Sequence, residues 1–398
     1  MITGRKDNHV VISIKKNEEG IRLVTFFAFL VVVCLPFHTL TIGGVGLLML
    51  IGLPLLALSG PALLNRLRRT YWDPATILLA GFFGYNLLSY LLSPSYSSSS
   101  TYNYIKIISI VMCLYCQEYS KREKQLLMAG SVISCLVVCW FLLTESNVEF
   151  YSDRVTIAVF GVVQDPNYLG YLFLIPMAVA TDGFLKEKRI VLKIIYGLLA
   201  VLILLCVMIG GSRGVFLGIA AIVVVCTIKK FEKLWSKILF CVVMAAIAAI
   251  IYGFVLTLLP EHTAERFSIQ AVVESRGTKR LDIWMDAFRV MGEKPYKLLF
   301  GFGAGSSNDL LNGWATHNFF IQLLLELGIV GLGLFVSFLW MWVKRLAKCD
   351  TLCLGVLLGG MAMAMTLSVN TVYYYWVVFI LGIVCSEAKQ AYRGGNTR

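Results

Sequence analysis

The chain has 398 residues, of which 58% are hydrophobic and only 15% charged, with a mean hydropathy of +0.78. A soluble domain carries about 25% charged residues, so the composition excludes a soluble globular protein and points to a polytopic membrane protein built as one continuous bundle. The net charge of +12 does not mark a nucleic-acid partner, because the basic residues are placed as topology signals.

In chain order, residues 1–21 form a polar head containing Arg5, Lys6, Lys15 and Lys16. No cleavage-site pattern precedes the first apolar stretch, which is too long for a secretory h-region, so no removable signal peptide is expected. A crossing needs about 20 apolar residues. Twelve stretches qualify or nearly so, at approximately 22–41, 42–60, 74–94, 102–118, 126–144, 156–181, 190–210, 214–228, 238–259, 317–343, 351–367 and 370–388. Thr41 to Gly44 reads as a tight turn, and Ser95 to Ser100 as a short loop. Lys and Arg favour cytoplasmic loops, and 25 of the 35 basic residues fall on one set of alternate loops. That predicts an even number of spans with both termini cytoplasmic. It gives transmembrane helices 1–9 over 22–259, a large outward loop over 260–316, helices 10–12 over 317–388 and a cytoplasmic tail over 389–398. The eleven cysteines lie almost entirely in apolar runs and read as small core residues. No metal site or cofactor is expected.

Asp165-Pro166-Asn167-Tyr168 sits inside the expected sixth span, where proline removes a backbone hydrogen bond and Asp or Asn can re-satisfy the break. Asp165 is a candidate to pair with Arg213 or to line a cavity. Gly210-Gly211-Ser212-Arg213-Gly214 interrupts an apolar run. An arginine at a membrane edge usually faces protein, water or an anion, and Arg213 would open a helix whose free N–H groups also favour anions. The outward loop carries seven basic and seven acidic residues, including Arg266, Arg276 and Arg280. Arg276 and Arg280 are four apart, so they could share a face of a helix with an apolar stripe of Leu281, Trp284, Met285 and Phe288. Gly301-x-Gly303-x-Gly305 lacks the context of a nucleotide fingerprint and reads as a tight loop returning to the bundle. His317-Asn318 opens the tenth span, where an imidazole can exchange protons at neutral pH. Glu326, roughly 13 Å further along a straight helix, reads as a structural hydrogen-bonding residue.

Taken together, these motifs resemble the O-antigen ligase and Wzy-type polymerase superfamily of bacterial membrane glycosyltransferases. The resemblance rests on Gly211-Ser212-Arg213-Gly214, a long loop with Arg280 before Trp284, the Gly301–Gly305 stretch, and His317-Asn318 followed by Glu326, Gly328 and Gly331. It covers about residues 155–345 and implies an all-α, GT-C-like membrane fold in the bacterial inner membrane, with the active site on the periplasmic face. The implied reaction is a metal-independent, inverting transfer of a glycan from undecaprenyl pyrophosphate. The acceptor is lipid A–core for a ligase or another lipid-linked repeat for a polymerase. Arg213 and Arg280 would bind the pyrophosphate, with Arg276, Arg266, Asp165 and Asn318 as further binding residues. His317 would orient or deprotonate the acceptor hydroxyl, with Asp153, Glu274 and Asp282 as alternatives. The rival reading is a lipid-linked oligosaccharide flippase, which predicts related halves and charges at mid-bilayer.

Overall fold

The computed structural model describes residues 20–68, 73–144, 146–147, 156–228, 230–231, 233–239 and 279–387, with the single positions 242, 246 and 253. The expected ninth span lies almost wholly outside the described residues, as does the first part of the outward loop. In chain order the elements are α1 (Leu23–Val33), a 3-10 turn (Leu35–Phe37), β1 (Thr41–Ile42), β2 (Val45–Gly46), α2 (Leu47–Arg68), α3 (Pro74–Leu91), α4 (Ser98–Cys116) and α5 (Lys121–Thr144). There follow β3 (Ser146–Asn147), β4 (Thr156–Val159), β5 (Val162–Gln164), α6 (Pro166–Leu169), α7 (Leu174–Lys186), α8 (Ile190–Ile209) and α9 (Arg213–Ile228). The chain resumes with α10 (Arg280–Glu293), α11 (Ser307–Leu310), α12 (Phe319–Cys349), α13 (Thr351–Ala364) and α14 (Tyr373–Val384).

Among the described residues, six helical stretches are long and apolar enough to cross a membrane: Leu47–Leu64, Pro74–Leu91, Lys121–Thr144, Pro166–Lys186, Ile190–Ile209 and Phe319–Cys349. Four shorter apolar helices, α1, α9, α13 and α14, accompany them. The bundle exposes apolar side chains and buries polar ones. Ile190, Val191, Ile194, Ile195, Leu198 and Val201 of α8 face outward, while Asn86, Glu326 and Asn370 are fully buried. That inversion suits hydrocarbon as the surrounding solvent. Of the ten described cysteines, all free, eight are buried.

Two features let the helices pack closely. Gly218 on α9 faces Gly359 on α13, where a Cβ added to Gly359 would meet the Gly218 carbonyl at 2.8 Å; small residues let backbones approach where no water drives them together. An aromatic core then fills the space between α12 and α14, with Phe319 at 5.1 Å from Phe335 and 5.3 Å from Tyr375.

Polar contacts gather at the two ends of the bundle. At one end Arg22 pairs with Glu123 at 2.8 Å, Lys124 donates to the Ser386 carbonyl at 2.6 Å, and Arg345 pairs with Asp73 at 3.0 Å. The turns around His38, Asp165, Gly211, His317 and Ser368 are tied together at the other end, as set out below. Loops that the charge pattern assigns to one face therefore do meet.

The structure corrects three expectations. Residues 156–181 are not one helix: Thr156–Gln164 form an antiparallel hairpin with Ile157 opposite Gln164, and Asp165 caps the start of α6. The β-branched run before Asp165 favours a strand, and Pro166 occupies the first helical position, where its missing N–H costs nothing. The tenth span is broken, because Gly328 within α12 has φ 66° and ψ −166°. Only the first half of the serine run is loop, since Ser98 begins α4 and Ser97 caps it by accepting from the Ser100 N–H. The expected helix beginning at Arg280 is present as α10, and it buries Ile283, Ala287 and Met291 with Trp284 packed beside them. Leu281, Met285 and Phe288, three of the four residues of the expected stripe, are exposed. The helix is apolar on two faces, and composition alone does not choose which one turns inward.

Candidate active site

The turn between α13 and α14, residues 365–372, is where the motifs converge. It is anchored from below by Asn370, whose Oδ1 accepts from Asn86 Nδ2 at 2.8 Å and whose carbonyl accepts from Trp376 Nε1 at 2.8 Å. Buried amides paired in this way fix a turn firmly, because an unpaired partner would be expensive at that depth.

Two motifs join before they reach this turn. Asp165 accepts from the Asn167 N–H at 2.8 Å and from Asn167 Nδ2 at 2.7 Å. That orientation leaves Asn167 Oδ1 free to accept from Ser212 Oγ at 2.6 Å. Ser212 in turn caps α9 by accepting from the Val215 N–H at 3.4 Å. Arg213 is thus the first residue of α9, half-buried, with no ion-pair partner among the described residues. Asp165 does not neutralise it; the carboxylate is occupied by Asn167. Gly214 then lies against Thr366, where a Cβ would meet Thr366 Oγ1 at 2.3 Å.

His317 meets the same turn two residues on. Its N–H donates to Ser368 Oγ at 3.0 Å, and Thr316 Oγ1 lies 2.8 Å from that same oxygen. Tyr168 of α6 reaches the Ser368 carbonyl at 3.4 Å. Thr366 and Ser368 are two residues apart, about 7 Å of chain at most, so the Arg213 and His317 backbones rest on one short stretch. His317 has φ 47°, a left-handed conformation uncommon outside glycine, held by the Ser368 contact on one side and by helix capping on the other. Asn318 Oδ1 does the capping, accepting from the Phe320 and Ile321 N–H groups at 3.0 and 3.2 Å. A strained, half-buried histidine at a helix start is a functional-site signal.

α10 brings Arg280. Trp284 Nε1 donates to the Thr316 carbonyl at 2.9 Å, and Arg280 lies one turn before Trp284 on the same helix. Arg266 and Arg276 lie outside the described residues.

The glycine stretch stitches this end together. At Gly328 the carbonyls of α12 lose their helical partners. Phe302 and Gly303 N–H groups donate to the Leu325 and Glu326 carbonyls at 2.9 and 3.0 Å, and Tyr85 Oη donates to the Leu327 carbonyl at 3.1 Å. Irregular backbone is tolerated at membrane depth only where protein satisfies it in this way. Gly301 has φ 80°, and a Cβ there would lie 2.2 Å from the Glu326 carbonyl oxygen, so no other residue fits. Glu326 Oε1 accepts from Ser307 Oγ at 2.6 Å and from Gln322 Nε2 at 3.2 Å, which locks α11 to α12.

Sequence reasoning missed Ser368, Thr366 and Thr316 as partners of the site. The only signal was a polar run, Thr366 to Asn370, between the last two apolar stretches.

Residues 198–336 match the family model described as O-antigen ligase, Wzy_C, a segment that contains Arg213, Arg280 and His317. No curated protein matches the chain. The match covers residues 198–336 of the 398 and agrees with the family resemblance carried by the motifs.

Proposed function

We propose that this chain, an O-antigen ligase-family membrane protein by the match over residues 198–336, transfers a glycan from undecaprenyl pyrophosphate to an acceptor sugar hydroxyl on the periplasmic face of the inner membrane. The family match supports a ligase or polymerase role in surface polysaccharide biosynthesis. Lipid A–core is the acceptor of a ligase, and a second lipid-linked repeat that of a polymerase. The alternation of basic loops in the sequence supports that face, where no nucleotide-sugar is available, so the donor would arrive already activated.

The observation that carries this reading is the convergence on the 365–370 turn. Gly214, next to Arg213, lies against Thr366; Trp284, one turn after Arg280, donates to the Thr316 carbonyl; and the His317 N–H donates to Ser368 Oγ. Two arginines present planar forks suited to a pyrophosphate, and the first turn of α9 adds N–H groups of the same polarity. In the reaction the acceptor oxygen attacks the anomeric carbon as the carbon–oxygen bond to the pyrophosphate breaks. The electron pair leaves with the pyrophosphate, whose charge Arg213 and Arg280 stabilise. His317 takes the acceptor proton, and attack opposite the leaving group inverts the anomeric centre. Asn318 fixes the histidine through the helix cap; Asp165 fixes Arg213 through Asn167 and Ser212.

The test is binding of the leaving group. Geranyl pyrophosphate, a soluble short-chain analogue, should bind the full-length protein in detergent. Arg213→Ala and Arg280→Ala should each weaken Kd at least about tenfold, the size of one lost charge-assisted contact. Equal affinity in both variants would remove the arginines from the donor site.

A further inference from the structure

A second polar cluster lies at the same end of the bundle and plays no part in the reaction just described. Lys106 sits on α4, eight residues from its start. Its Nζ lies 4.5 Å above the Tyr102 ring, and no carboxylate pairs with it among the described residues. A cation retained near a membrane without an acidic partner is expensive and marks a functional position.

His38 stands close by, in the turn between α1 and β1. Its Nδ1 lies 2.6 Å from Tyr374 Oη, and Tyr374 donates to Gln164 Oε1 at 2.5 Å. Gln164 Nε2 donates to the Pro36 carbonyl at 3.0 Å, which fixes which end of the amide is oxygen. The tyrosine proton is therefore committed to Gln164, so His38 Nδ1 must carry the proton and donate to the tyrosine oxygen. In the neutral imidazole this leaves the other ring nitrogen as the acceptor. The lone pair is on Nε2, which has no partner among the described residues. The Tyr373 ring lies 6.1 Å from the imidazole and its hydroxyl reaches the Asn103 carbonyl at 3.5 Å.

The patch therefore offers a cation, a fixed hydrogen-bond acceptor and two tyrosine rings. A cation takes a phosphate, the acceptor nitrogen takes a neighbouring hydroxyl, and ring faces take the C–H surface of a sugar. The patch adjoins the arginine site through shared elements: Gln164 immediately precedes Asp165, and Tyr374 follows Ser368 by six residues.

We propose that Lys106 and His38 form a second anion subsite, which holds a phosphate-bearing saccharide as the acceptor while Arg213 and Arg280 hold the donor. The proposal rests on the transferase reading for the word acceptor; the phosphate chemistry stands without it. The same chemistry is present in a bulk lipid headgroup, and the experiment separates the two sources.

Full-length protein labelled with 15N-histidine is placed in nanodiscs of phosphatidylcholine and titrated with glucose 1-phosphate. In a second arm the discs contain phosphatidylglycerol and no sugar. The chain has four histidines, and His38 is assigned by the signal missing in His38→Gln. The expected result is a shift of the His38 Nε2 resonance with glucose 1-phosphate, absent in Lys106→Gln and kept in Lys106→Arg. A shift with phosphatidylglycerol alone overturns the saccharide assignment in favour of a lipid headgroup; no shift in either arm overturns the subsite. In transfer assays Lys106→Gln should raise the acceptor KM about tenfold, as expected for one lost charged contact, with kcat and the donor KM within about twofold and Lys106→Arg close to wild type. If the wild type transfers but the acceptor KM is unmoved in Lys106→Gln, the subsite fails and the transferase reading stands. If the wild type transfers to no acceptor, the transferase reading fails and the resonance shifts still decide the subsite.

Discussion

At the scale of single residues, Ser368 is the most informative position, because one hydroxyl serves both Thr316 and the strained His317 N–H. Ser368→Ala should lower kcat about tenfold and cost about 1 kcal/mol of stability, the net worth of a hydrogen bond, read as a modest fall in Tm. Ser368→Thr keeps the hydroxyl and should restore most of both. An unchanged kcat in Ser368→Ala would mean that the turn does not hold the histidine in its working position. Arg213→Lys offers a second test, since lysine supplies charge without the fork. Transfer should fall about 100-fold in Arg213→Lys, within the range for losing one preorganised stabiliser of a leaving group; near-normal rates would reduce Arg213 to a surface charge. Arg213 and His317 were legible in the sequence because a charge and an imidazole stand out among apolar residues. Ser368 was not, since a serine between two spans has no signature until the fold brings His317 to it. Asp165 was legible as a break but not in its partner, because the choice between Arg213 and Asn167 is set by geometry at the turn.

At the scale of elements, the broken α12 and the glycine stretch form one unit, each satisfying the other's backbone. Gly301→Ala places a methyl against the Glu326 carbonyl in a left-handed conformation, a combination that costs about 2 kcal/mol or more. It should lower the Tm markedly even though no charged group is touched. A Tm equal to wild type would contradict the inserted loop. Glu326→Gln keeps an oxygen for Ser307 and should be far milder than Glu326→Leu, which leaves the Ser307 hydroxyl without its acceptor. The sequence made these glycines conspicuous but gave no reason to connect Gly301 with Gly328, because a 27-residue separation carries no periodicity. The same limit explains the α10 stripe: helical spacing revealed an amphipathic element, and only the neighbours, Leu311 and Leu325, decide that Ile283, Ala287 and Met291 turn inward. The β4–β5 hairpin was hidden inside an apolar run whose hydropathy matches that of a span.

At the scale of the molecule, several loops that the charge pattern assigns to one face meet at one end of the bundle, through Arg22–Glu123, Lys124–Ser386 and Arg345–Asp73. The alternation of basic loops makes a topology prediction. Cys349 is exposed near the Arg345–Asp73 end, and Tyr296 is 72% exposed at the other. A membrane-impermeant maleimide added to intact spheroplasts should label Tyr296→Cys and spare Cys349 until the membrane is opened. Labelling of Cys349 first would invert the chain and move the arginine site to the cytoplasm. The most direct test of the central claim is a reconstituted transfer reaction. Purified protein in liposomes is given an undecaprenyl-pyrophosphate-linked repeat, without nucleotide, with and without lipid A–core. The account predicts glycan transfer, either lengthening the donor or modifying lipid A–core, falling to below about 1% of wild type in an Arg213→Ala, Arg280→Ala double variant that stays folded. Undiminished transfer in that variant, or movement of the lipid-linked glycan across the bilayer without transfer to any acceptor, would contradict it.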